Sequence, residues 1–75
     1  MELKKFIQDF ADQFEDTDAS EIGADTKFQE LDEWSSLTAM SIIAFVKVNY
    51  NKNVTGKEIR SCGTVEDLFN LIAAK

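Results

Sequence analysis

Ser36 is the residue whose type and setting best suit chemistry. It stands in the run Glu33-Trp34-Ser35-Ser36-Leu37, between an acidic, irregular stretch and the most apolar helical stretch of the chain. A hydroxyl at the mouth of a helix, facing solvent, can be esterified to a phosphate without disturbing a core. The unpaired N–H groups and macrodipole of a helix N-terminus favour the negative charge so added. The competing use of such a serine is to cap the helix, and Ser35 and Ser36 are both placed to do so. Other chemistries have little to work with. The chain has no His to act as a base and no Gly-rich phosphate loop. Its carboxylates fall in a solvated stretch with no sign of a buried acid–base pair. Asp16, Asp18 and Ser20 follow the opening ligand positions of a calcium-binding loop. Glu21 then stands where a glycine is needed, and Lys27 where the bidentate glutamate is needed. Cys62, beside Arg60, is a candidate for a lowered thiol pKa, but a small residue at the end of a short helix more commonly packs. No enzyme is expected.

The elements that must position Ser36 follow from hydrophobic spacing. Leu3, Phe6, Ile7, Phe10 and Phe14 recur every three to four residues and predict a first amphipathic helix. From about residue 15 to residue 35 the period is lost, and Asp16, Asp18, Ser20, Gly23 and Asp25 predict a long loop. Ile22, Phe28, Leu31 and Trp34 predict that this loop is pinned over a core. A second helix is expected from Ser36 to about Tyr50, ending at the cluster Asn49, Asn51 and Asn53. Thr55 with Glu58 is a capping box that opens a short helix to about Ser61, which Gly63 closes. Thr64 with Asp67 opens the last helix, whose stripe is Val65, Leu68, Phe69 and Ile72. The expected fold is therefore all-α: one domain over residues 1–75, a small four-helix bundle with three main helices, one short helix and a long first loop.

The second helix has more apolar residues than one core face needs. Nine of the twelve residues from Leu37 to Val48 are apolar. Eight of them, with Tyr50, separate into a stripe of Ala39, Ile42, Ile43, Val46 and Tyr50, and a neighbouring stripe of Leu37, Met40, Ala44 and Val48. The second stripe is either extra core or a surface for a partner. Phe45 falls among Thr38, Ser41 and Asn49 on the polar sector, so it is expected to pack under the first loop.

Composition narrows the partners. The net charge is -6 at pH 7, split unevenly: residues 1–35 carry eleven Asp/Glu against three Lys, and residues 36–75 carry three against five Lys/Arg. An acidic chain lacks the basic footprint that nucleic acid requires, whereas its acidic half attracts basic protein surfaces. One cysteine and no histidine exclude an internal disulfide and a Cys/His zinc site. No apolar run is long enough for membrane insertion, and Met1-Glu2-Leu3-Lys4-Lys5-Phe6 lacks a signal-peptide core. A reduced, cytoplasmic setting is the default expectation.

Over nearly its whole length the chain resembles the acyl carrier proteins and related phosphopantetheine-binding carrier domains. The resemblance runs through the first amphipathic helix, the acidic loop with Thr26, Phe28 and Leu31, and the junction Trp34-Ser35-Ser36-Leu37. It continues in Met40-Ser41-Ile42-Ile43-Ala44 and in Gly63-Thr64-Val65-Glu66-Asp67-Leu68. It implies that Ser36 matches the serine of an Asp-Ser-Leu motif, which receives 4′-phosphopantetheine from coenzyme A through a phosphopantetheinyl transferase. The arm's thiol would then carry acyl, aminoacyl or polyketide intermediates as thioesters between loading and synthase enzymes. Such carriers work as monomers, and catalysis belongs to the partners. This chain departs from the pattern in two places: Ser35 replaces the motif's aspartate, and the second helix contains no Asp or Glu. Partner docking is therefore expected to rely on Leu37, Met40, Ala44 and Val48, with electrostatic attraction from Glu30, Asp32 and Glu33. The alternative is an unmodified interaction module of the same shape, with Ser36 acting only as a helix cap.

Overall fold

The structure, a computed structural model, describes residues 2–75. It is all-helical, with α1 at Leu3–Ala11, α2 at Ser36–Tyr50, α3 at Gly56–Ser61 and α4 at Val65–Ala73. The 24 residues between α1 and α2 contain two short 3-10 turns, Ala19–Glu21 and Phe28–Glu30. The expected small bundle, with three main helices and a short one, is what forms. α1 stops earlier than its apolar stripe does. Gln13 Nε2 donates to the Asp9 carbonyl at 3.1 Å, and the Gln13 and Phe14 N–H groups reach back only three residues, to Phe10 and Ala11. The helix thus tightens and ends with its carbonyls satisfied, while Phe14 still turns into the core.

Local chemistry fixes the other boundaries. Both predicted capping boxes are present: the Thr55 and Thr64 hydroxyls accept from the Glu58 and Asp67 N–H groups, and those carboxylates accept from the Thr55 and Thr64 N–H groups. α2 ends at Asn51, which takes up the left-handed conformation at φ 54° and donates its N–H to the Lys47 carbonyl. Asparagine tolerates that region better than most side chains.

One buried core draws on all four helices and on the loop. Phe6, Phe10, Phe28, Ile42, Val46, Val65, Leu68 and Ile72 are fully buried. An aromatic row crosses it: Phe6 to Phe10 at 6.0 Å, Phe10 to Phe28 at 5.6 Å and Phe28 to Trp34 at 4.9 Å between ring centroids. The loop is therefore pinned, as its apolar residues predict. Its backbone is pinned as well, because Val65 and Glu66 at the start of α4 donate N–H groups to the Thr26 and Ala24 carbonyls.

Phe45 departs from expectation. It is 5% exposed and lies 5.9 Å from Phe6 of α1 and 5.7 Å from Tyr50, so it belongs to the core and packs beside α1. Apolar side chains surround the α2 axis almost evenly, so its spacing leaves the inward arc undetermined. The arc of Ile42, Phe45 and Val46 is the one that is buried, and Ala39, Ile43 and Tyr50 are left half-buried.

Removing Phe28 tests whether the loop is part of the core. Phe28→Ala is expected to cost about 3–5 kcal/mol, a large share of what a domain of this size has. Val48→Ala, at an exposed site, should stay within about 0.5 kcal/mol of the parent. Urea unfolding followed by circular dichroism measures both; equal effects would show that the loop does not contribute to the core.

Candidate functional site

The junction between loop and α2 is built one residue at a time. The Trp34 ring packs edge-on against Phe28, and the Trp34 backbone N–H donates to the Leu31 carbonyl at 3.0 Å. Ser35 then leaves in an extended conformation, φ -156° and ψ 176°, and is the N-cap: its Oγ accepts from the Thr38 N–H at 3.3 Å, and its carbonyl accepts from Ala39 at 2.9 Å. The Thr38 hydroxyl donates to the Glu33 carbonyl at 2.9 Å, closing the turn from the other side. With the cap supplied by Ser35, Ser36 becomes the first residue of the helix proper. Its side chain is exposed, and among the described residues its hydroxyl makes no hydrogen bond. Ser36 therefore does not cap the helix, and its side chain is open to solvent.

A groove of about 230 Å³ opens beside that hydroxyl, lined by Trp34, Ser36 and Ala39 on one side and by Gly56, Ile59 and Arg60 of α3 on the other. α3 has only six residues, too few to hold itself as a helix. Its far end is held by Gln29 of the loop, whose Nε2 lies within hydrogen-bonding distance of three carbonyls: Ile59 and Arg60 at 3.3 Å and Cys62 at 2.6 Å. Ile59 and Cys62 anchor it from below. The Cys62 thiol is buried, and that burial pushes its pKa up, against the reactive thiol considered from the sequence.

The structure gathers Leu37, Met40, Ala44 and Val48 on one exposed face of α2, with Leu37 70%, Met40 67% and Val48 81% exposed. The second stripe is thus surface and not extra core. Lys47 shares that side. The acidic residues expected to draw partners are placed differently. Glu30 and Asp32 are exposed and line an open hollow of about 570 Å³ with Asp16, Thr17, Glu21 and Glu33; Ser36 is not part of it.

Glu33 has an internal task that the sequence did not reveal. Its carboxylate accepts from the Glu15 N–H at 2.7 Å, the Asp16 N–H at 3.0 Å and the Thr17 hydroxyl at 2.8 Å, latching the start of the loop to its end. Its charge persists, but its oxygens are committed. Gln29, Gly56, Ile59 and Arg60 were also missed as lining or supporting residues. One sequence signal pointed to Arg60: it is the chain's sole arginine among seven lysines.

No protein-family model matches the chain, and neither does any curated protein or solved structure.

Partial desolvation pushes the Glu33 carboxyl up, but the hydrogen bonds from Thr17, Glu15 and Asp16 outweigh it and hold the group below its ordinary value. The latch therefore contributes fully above the usual glutamate pKa of about 4.3 and is lost as pH falls through the lower, folded value. Urea midpoints measured from pH 7 down to pH 3 should fall more for the parent than for Glu33→Gln, with the two converging in acid. Parallel curves would show that the latch carries no proton linkage.

Proposed function

We propose that this chain is a carrier protein whose Ser36 hydroxyl bears a 4′-phosphopantetheine arm. One observation supports this above all: Ser35 supplies the helix cap, so the Ser36 hydroxyl stands exposed and unengaged at the first turn of α2, beside a groove. The residues suit the group. Trp34, Ala39 and Ile59 offer apolar walls to the arm, and Arg60 offers one cation to its phosphate. In the loading step Ser36 Oγ would bond to the β-phosphorus of coenzyme A. The pyrophosphate bond breaks, adenosine 3′,5′-bisphosphate leaves, and the serine proton passes to the transferase or solvent. When bound, the arm supplies a thiol that holds acyl or related cargo as a thioester, at high effective concentration for enzymes docked nearby. This chain's own part is to hold Ser36 outward and to present Leu37, Met40, Ala44 and Val48 to the loading and synthase enzymes. Glu30 and Asp32 supply long-range attraction for a basic partner, with Glu33 adding charge only. The carrier is read as a cytoplasmic monomer. Among the described residues no helix is long and apolar enough to cross a membrane.

The exposed face of α2 favours a second reading, an unmodified interaction module. That version no longer needs Ser36 as a cap, because Ser35 has that part.

Intact-mass measurement after incubation with coenzyme A and a broad-specificity phosphopantetheinyl transferase separates the two. One phosphopantetheinyl addition is expected on the parent chain and on Ser35→Ala, and none on Ser36→Ala. Ser35→Ala should lose about 1 kcal/mol of stability with its cap. A parent chain left bare by several competent transferases would support the module instead.

Docking by an apolar face has its own signature. Leu37→Ala or Met40→Ala should weaken transferase binding by about tenfold, ~1.4 kcal/mol, with little dependence on salt. A steep loss of affinity between low and moderate ionic strength, with both alanine variants unchanged, would assign docking to charge.

A further inference from the structure

Arg60 is an unusual residue in this chain. Every other cation is a lysine. Among the described residues the ion pairs are Lys5–Asp9 and Lys75–Glu58, so no carboxylate pairs with the Arg60 guanidinium, although Glu58 lies two positions away. The side chain is exposed at the residue level, yet its base is fixed: the Arg60 carbonyl is held by Gln29, and the neighbouring Ile59 is 1% exposed in the core. The guanidinium also has a defined course. A Cβ built on Gly56 would lie 3.5 Å from Arg60 Nη1, so the side chain folds back along α3 over the glycine. Gly56 and Arg60 together form the α3 wall of the groove whose opposite wall carries Ser36. A planar fork of N–H donors, with no side-chain partner among the described residues, therefore lines the same groove as the exposed, unengaged hydroxyl of Ser36. Guanidinium matches the geometry of phosphate oxygens better than an ammonium does, which gives a reason for arginine at this position and lysine elsewhere.

We propose that Arg60 is the counter-ion of a phosphate ester on Ser36, its guanidinium pairing with the unesterified phosphate oxygens across the groove between α2 and α3. This rests on the carrier reading for the source of the phosphate, but the pairing itself is a property of these two residues. It makes Arg60 a positioning residue: it fixes the root of whatever hangs from Ser36 against α3.

Two arms test the pairing and the reading separately. In the first, the full chain is prepared by synthesis with phosphoserine at position 36, and its 31P shift is followed against pH. An unpaired phosphoserine titrates near pH 6. The parent chain should titrate lower than Arg60→Gln by about half a unit or more at low salt; the gap should narrow as salt is added, and Arg60→Lys should fall between. Circular dichroism checks that the variants fold. Equal midpoints in the parent and Arg60→Gln would overturn the proposal. In the second arm, coenzyme A and a transferase load Ser36, and the Arg60 Nε–Hε resonance is compared before and after. A displaced resonance is expected. Loading without displacement would remove Arg60 from the site and leave the carrier reading intact. A shifted phosphoserine titration with no loading would keep the pairing and end the carrier reading.

Discussion

The packing of Phe28 between Phe10 and Trp34 is the interaction on which the site depends. A 24-residue connection in so small a domain carries a large entropic penalty unless it is held at several points. Phe28, fully buried, ties it to α1; Trp34 then packs edge-on against Phe28 two residues before Ser36. The junction at Ser36 inherits its position from the aromatic core and not from the helix it opens.

Around that anchor, polar side chains divide the remaining work. Glu33 joins the two ends of the loop, Ser35 closes the first turn of α2, and Gln29 finishes α3. Each satisfies backbone groups that would otherwise compete for water, and none is fully buried, so little desolvation is incurred. The neighbouring hydroxyls differ sharply in state: Ser35 is engaged by the helix, and Ser36 is released by that engagement.

Much of this was legible in the sequence wherever the determining interaction is local. α2 spans the expected Ser36–Tyr50, and both capping boxes sit at Thr55 and Thr64, because caps involve residues three apart. The early end of α1 escaped notice because a glutamine side chain and tightened hydrogen bonds decide it while the apolar stripe runs on to Phe14. The inward arc of α2 was only partly readable: Ile42 and Val46 fell where expected, but Phe45 did not, since a helix apolar on nearly all sides takes its orientation from its neighbours. Gln29 and Glu33 act across gaps of 16 to 33 residues, and no short-range pattern announces such pairings.

The Gln29 bracket has a thermodynamic consequence. A six-residue helix whose terminal carbonyls are bracketed by an amide thirty positions upstream shares part of its stability with the loop that carries that amide. Lifting the loop would unwind α3, and unwinding α3 would dissolve one bank of the groove beside Ser36. Loop, groove and α3 are thus coupled through one amide, so that disorder in the loop reaches the wall of the groove.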